Sequence, residues 1–301
     1  MFVLCINFNP HYPPTREQIE DLEAQCDGVP LMFCYLEGGH IDFFAFDNVK
    51  LRFLKCSMMG PRWKGYDSKT KAIANPIITS ISELQTSLIK LNPEVLVSGC
   101  TVCLYCNPEL TDLLSRTCFG QPSITLDDDY RCFELTLVET FYLCFSLKCL
   151  NIIIDGDSTK TNNELLWNYM ITNEGESFPY IFKAYSHLRS MDLVVKSGGQ
   201  YGGDFVAYRH HPSLVHSEYS VLVSSKPYAD DRLRVWSDIR STVRLCGGVN
   251  KTLLVLYVYK NCENVIDSSS PSFLDALSVE ERSITRWDPK RLRKEQQVGT
   301  E

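Results

Sequence analysis

Residues 193–223 read Leu-Val-Val-Lys-Ser-Gly-Gly-Gln-Tyr-Gly-Gly-Asp-Phe-Val-Ala-Tyr-Arg-His-His-Pro-Ser-Leu-Val-His-Ser-Glu-Tyr-Ser-Val-Leu-Val. Three short runs rich in β-branched and aromatic residues lie between turn-forming clusters. Leu193–Lys196 ends at Gly-Gly, and Asp204–Tyr208 ends at Arg-His-His-Pro. His216–Val223 alternates around Tyr219, Val221 and Val223. The pattern predicts three strands, the last two forming a hairpin. Tyr208 then closes one strand and His216 opens the next, which brings both to one rim where a proton-transfer pair fits.

Outward from this stretch the chain divides. Upstream, Phe178, Ile181, Phe182, Tyr185 and Leu188 make the buried stripe of a helix started by Ser177 and Pro179. Downstream, Leu233, Trp236, Ile239 or Arg240, Val243 and Cys246 recur at helical spacing until Gly247-Gly248. Thr252–Tyr259 is an apolar strand with Lys251 at its threshold. The order over 176–265 is helix, three strands, helix, strand. Residues 155–175 read as a linker and a short helix, since Asp155–Asn163 carries no large apolar side chain.

Residues 59–154 form a smaller unit. Ile77, Ile81, Leu84, Leu88 and Leu91 mark a helix ending before Pro93, and Val95–Cys106 is extended. A short helix follows Pro108. Ser123–Leu126 and Tyr130–Phe133 flank an acidic turn, and Thr136 with Glu139 makes a capping box for a helix through Cys149. The fold class is therefore α+β: a small N-terminal α+β domain followed by a mixed-sheet domain. Residues 1–58 remain an unassigned extension, with strands expected at Phe2–Phe8 and Ile41–Phe46 and a helix at Glu17–Gln25. A chain beginning at Met59, itself a candidate start, is expected to fold and assemble. Residues 266–301 read as a basic tail with a short helix from Pro271.

Length and composition set limits on function. At 301 residues, 44% hydrophobic and 22% charged, the chain has the composition of a soluble globular protein. Its net charge of -7 means that a nucleic-acid ligand must meet a local basic patch. No run approaches a membrane span, and Phe2–Ile6 is too short for a signal core. Thirteen irregularly spaced cysteines point to free thiols in a reducing compartment. Cys100, Cys103 and Cys106 suggest a metal site, but an extended segment would aim Cys103 away from the other two. Buried thiols are the expected reading, with no metal and no cofactor.

Tyr208, His216 and Lys251 supply the groups that RNA needs to cleave itself through its own 2′-hydroxyl. One group takes the 2′ proton, one protonates the departing 5′ oxygen, and a cation meets the charge on the phosphorane. Histidine suits either proton role. Tyrosine is a weak base unless a cation lowers its pKa, which Lys251 is expected to do. A metal-dependent nuclease would need a carboxylate two residues before a lysine on the next strand, whereas Glu218 is followed by Tyr219 and Ser220. The plain alternative is an edge tyrosine, a surface histidine and a solvated lysine.

The run Gly-Gly-Gln-Tyr-Gly-Gly-Asp-Phe-Val-Ala-Tyr, then Val-His-Ser-Glu-Tyr-Ser-Val and Val-Asn-Lys-Thr-Leu-Leu-Val, resembles the catalytic domain of the tRNA-splicing endonucleases. It is most similar to the plant form of the eukaryotic catalytic subunit that cuts the 5′ splice site. Gly60-Pro-Arg-Trp-Lys-Gly, Leu96-Val-Ser-Gly-Cys and Leu114-Ser-Arg-Thr-Cys-Phe-Gly extend the resemblance from about Met59 to Arg293. It implies Tyr208 as general base, His216 as general acid and Lys251 as the transition-state cation. It also implies an intron-containing pre-tRNA substrate, metal-independent cleavage and nuclear location. The implied assembly pairs this chain with a second catalytic subunit and two structural ones. A purely structural subunit is the non-enzymatic alternative.

Arg244 and Trp287 could sandwich a flipped base, a grip the family uses; the resemblance implies that the grip at the 5′ site comes largely from the other catalytic subunit, so this pair would serve the neighbouring site. The plain reading is a solvated arginine and a packing tryptophan. Arg232, Arg234, Arg240 and Arg244, with Lys290, Arg291, Arg293 and Lys294, are candidate phosphate contacts.

Overall fold

Two sheets carry the fold of the computed structural model, which describes residues 4–7, 11–26, 29–37, 40–49, 62, 64, 77–93, 95–123, 131–152, 163–225, 231–261 and 268–286. The smaller sheet holds β4 (Val95–Ser98), β5 (Thr101–Cys106), β6 (Gln121–Pro122) and β7 (Arg131–Thr136) in the order β4-β5-β7-β6. Helix α2 (Ile77–Leu91) buries Leu84 and Leu88 beside Leu110, Leu113 and Leu114 of α3 (Pro108–Thr117). Asn107 caps α3 by accepting from the Leu110 amide at 2.8 Å. The capping box of Thr136 and Glu139 starts α4 (Leu137–Phe141) as expected. That helix does not continue regularly to Cys149: after Phe141 it widens to a π-helix over Tyr142–Ser146. The acidic turn near 127 lies outside the described residues.

Helices α5 (Asn163–Glu174) and α6 (Phe178–Ser190) join the two sheets through an aromatic cluster of Trp167, Phe178, Phe182 and Phe141. Arg189 is buried, stacks 4.0 Å from the Phe119 ring and donates to the Thr117 carbonyl at 3.3 Å. Lys196 donates to the Gly120 carbonyl at 2.7 Å. The small domain is thereby held against the strand edge next to Tyr208.

Among the described residues the large sheet has eight strands, in the order β1 (Leu4–Asn7), β2 (Leu31–Glu37), β3 (His40–Asn48), β12 (Leu277–Arg286), β11 (Thr252–Lys260), β10 (Tyr219–Ser225), β9 (Phe205–Tyr208) and β8 (Val194–Ser197). The expected strands are β8 (Val194–Ser197), β9 (Phe205–Tyr208), β10 (Tyr219–Ser225) and β11 (Thr252–Lys260), with α7 (Trp236–Gly248) between the last two. Strands β9 and β10 are antiparallel and β10 and β11 parallel, which makes the sheet mixed. The third strand starts at Tyr219 rather than His216, which leaves His216 in the connecting loop.

The sheet also runs beyond the boundaries read from the sequence. β12 (Leu277–Arg286) pairs antiparallel with β11 along its length, so residues 277–286 are sheet rather than tail. β3 (His40–Asn48) pairs with β12, and β2 (Leu31–Glu37) and β1 (Leu4–Asn7) follow outward. α1 (Arg16–Gln25) crosses between β1 and β2 behind a Thr15–Gln18 capping box. Hydropathy hid β12 because its centre is Glu280-Glu281-Arg282, yet Arg282 is fully buried. Its guanidinium donates to both Glu23 carboxylate oxygens (2.7 and 2.9 Å), to Glu280 (2.6 Å) and to the Phe46 carbonyl (3.2 Å).

Phe33, Phe44 and Phe46 pack with Trp236, Ile239, Leu253 and Ile284 in one core. Removing residues 1–58 would strip three strands from β12 and uncover Trp236. Residues 1–58, read from the sequence as an unassigned extension, thus contribute strands β1–β3 to the large sheet and part of its core.

Candidate active site

Ala207, Tyr219 and Thr252 face one another across β9, β10 and β11. Tyr208 follows Ala207 on an antiparallel strand, and Lys251 precedes Thr252 on a parallel one. Both therefore flank Glu218 at the same sheet end, about 10 Å apart at the backbone, or two strand spacings. The Glu218 amide donates to the Ala207 carbonyl at 3.0 Å, and the Thr252 amide donates to the Glu218 carbonyl at 2.8 Å. His216 is exposed two residues before Glu218, its amide donating to the Arg62 carbonyl at 2.9 Å. The structure thus brings the three predicted residues to one rim.

The electrostatics differ from expectation. The Tyr208 hydroxyl lies above the usual value of 10, chiefly through burial; a hydrogen bond with Ser217 opposes this, and Tyr201 and Cys118 add to it. Lys251 is not among these influences. Its ammonium sits 3.9 Å from the centre of the Tyr201 ring instead. Burial, then the nearby Arg62 charge, lowers the Lys251 pKa below 10.5, against a raising influence from Cys246. The idea that Lys251 acidifies Tyr208 in the resting site is thereby corrected.

Two groups missed in the sequence frame the rim. Arg62 donates to the Ser217 carbonyl at 2.9 Å, and with the backbone pairing just described it splints the loop that carries His216. Glu218 pairs with Arg209 Nε at 2.7 Å through Oε2, while Oε1 is buried without a hydrogen bond. Burial consequently outweighs the arginines and raises the Glu218 pKa. Arg62 gave no sequence signal beyond its place in Gly60-Pro-Arg-Trp-Lys-Gly, because the pairing is long-range.

The second set is partly present. A cleft of about 430 Å³ beside the rim is lined by Arg240, Arg244, Lys251, Phe44 and Arg286, among others. Asp42, buried on β3, pairs with Arg240 at 3.1 Å and Arg286 at 2.5 Å. Arg244 is exposed on α7. Trp287 and the basic residues 290–294 lie outside the described residues. Arg232 instead grips both Asp204 oxygens, at 2.9 and 3.0 Å, and so serves the fold of the glycine loop.

Cys100 is exposed in the β4–β5 turn, Cys103 half-buried and Cys106 buried. Burial, helped by Cys132, pushes the Cys106 thiol up to about 12, which keeps it unreactive. Among the described residues no three His, Cys, Asp or Glu side chains converge as a metal site. No described helix is long and apolar enough to cross a membrane.

Residues 178–266 match the model of the tRNA intron endonuclease catalytic C-terminal domain, and residues 94–166 match that of its N-terminal domain. Fold and site together therefore define a tRNA-intron lyase, an endonuclease of tRNA splicing. The chain is 47% identical over 242 residues to the tRNA-splicing endonuclease subunit Sen2-2 of Arabidopsis thaliana, an alignment spanning 80% of this chain and 95% of the relative. It is 44% identical to subunit Sen2-1 of the same plant (79% and 99%) and 42% identical to a probable Sen2 subunit of Oryza sativa (76% and 80%). The chain belongs to the Sen2 subunit family of the tRNA-splicing endonucleases.

Proposed function

We propose that this chain cuts pre-tRNA at the 5′ splice site by metal-independent transesterification, with Tyr208, His216 and Lys251 as the catalytic residues. The observation that carries this reading is the β9-β10-β11 register, which sets Tyr208 and Lys251 at one sheet end, with His216 in the loop that enters β10 there. Tyr208 takes the proton of the 2′-hydroxyl as its oxygen bonds to phosphorus. His216 protonates the 5′ oxygen as the P–O5′ bond breaks. Lys251 meets the charge on the equatorial oxygens. The products are a 2′,3′-cyclic phosphate and a 5′-hydroxyl.

A tyrosine is neutral near pH 7, and burial moves the Tyr208 pKa further up. Tyr208 therefore serves through its small ionised fraction, a strong base at low population. The basic cleft continues from Lys251 and supplies the phosphate contacts that a chain of net charge -7 otherwise lacks. Arg240 and Arg244 contribute there, and Trp287 is proposed as the stacking partner of Arg244. Two cuts per intron call for a second catalytic subunit, held in a nuclear assembly with two structural subunits. End-group analysis of cleavage by the assembled enzyme in excess chelator tests the chemistry. Cyclic phosphate and 5′-hydroxyl ends are expected; activity that requires added magnesium and leaves 5′-phosphates would refute it.

A further inference from the structure

We propose that Tyr201 is a positioning residue for this reaction: its ring face holds the Lys251 ammonium in place for the scissile phosphate. The inference rests on the catalytic reading of Lys251. The Lys251 Nζ lies 3.9 Å from the ring centroid, within the distance at which an aromatic face attracts a cation. Tyr201 is 38% exposed, and its phenol is among the groups that raise the Tyr208 pKa.

The backbone is built to put the ring there. Gly199–Tyr201 form one 3-10 turn closed by the Tyr201 amide donating to the Gly198 carbonyl at 2.8 Å, and Gly202 adopts a left-handed conformation at φ 70°. A Cβ on Gly198 would lie 2.7 Å from the Phe205 backbone, and one on Gly203 2.8 Å from Ser220 Oγ, so neither position admits a side chain without a shift. Asp204 anchors the end of the loop by accepting from the Val223 amide at 2.7 Å and from Arg232, which also donates to the Gly202 carbonyl at 3.3 Å. A lysine has four rotatable carbons and a lowered pKa here. The ring fixes its reach and favours its charged form at a place where burial and Arg62 disfavour it.

The test is single-turnover cleavage of pre-tRNA by the assembled endonuclease carrying Tyr201→Phe, Tyr201→Leu, Lys251→Ala or Tyr201→Leu with Lys251→Ala. RNA affinity and thermal midpoints are measured in parallel. Tyr201→Phe keeps the ring and should cleave within about twofold of the parent. Tyr201→Leu keeps an apolar side chain without a π face and should slow the 5′ cut by about threefold to thirtyfold, with RNA affinity unchanged. In the Lys251→Ala background the leucine change should cost nothing further. Parental rates in Tyr201→Leu, equal losses in the Phe and Leu variants, or a full additional loss in the double variant would overturn the assignment of Tyr201 while leaving Lys251 catalytic. A fully active Lys251→Ala enzyme would overturn both readings.

Discussion

Lys251 and Tyr208 illustrate how burial at a rim shifts two groups in opposite directions. The lysine is pushed below 10.5 and the tyrosine above 10, each because the charged form loses water. If Lys251 must be protonated to stabilise the phosphorane, activity falls as pH rises through its lowered pKa. An arginine there stays charged at any pH the RNA survives. Lys251→Arg should therefore move the alkaline edge of the single-turnover rate profile to higher pH, at some cost in rate; an unmoved edge assigns that ionisation to another group. The three proposed catalytic residues are legible in the sequence because Tyr208 and Lys251 border strands marked by turn residues and His216 lies in the short segment leading into the next strand. Their electrostatic partners are not: Arg62 reaches Ser217 across 155 residues of chain, and such pairings leave no local pattern.

At the scale of elements, strands with alternating apolar residues are legible, and two others are not, for different reasons. β2 is an unbroken apolar run, Leu31–Leu36, with no two-residue period, and β12 keeps its polar centre in the core by giving Arg282 a full set of acceptors. A hydropathy pattern scores such residues as surface. His216 was assigned to β10 because its neighbours alternate, yet its amide is claimed by Arg62 before the ladder begins at Tyr219. Two predictions belong here. Phe44→Ala removes a ring stacked 5.7 Å from Trp236 and should cost about 3–5 kcal/mol in denaturant unfolding. Arg282→Met should cost up to about 3 kcal/mol, the low end for a broken buried pair, since Glu23 is partly exposed and regains water. Negligible effects in both variants would mean that the N-terminal strands contribute little to the catalytic sheet.

Across the whole molecule, the N-terminal strands, the tail strand and the catalytic strands form one sheet, and the basic cleft is bounded by all three regions through Phe44, Arg286 and Lys251. The proposed function concentrates substrate attraction there, because the chain as a whole is acidic. Arg244→Gln should lower the slope of log affinity against log salt by about 0.7–0.9 if that guanidinium neutralises one phosphate; an unchanged slope would place α7 outside the tRNA footprint. The central claim is that this rim makes the 5′ cut, and the measurement that tests it most directly is product mapping with His216→Ala in the assembled enzyme. The side chain is exposed, so assembly should persist, while loss of the general acid should slow its cut on the order of a hundredfold or more. The account predicts accumulation of the intron still joined to the 5′ exon, with the 3′ exon released normally. Accumulation of the intron joined to the 3′ exon, or normal excision at both sites, would contradict it.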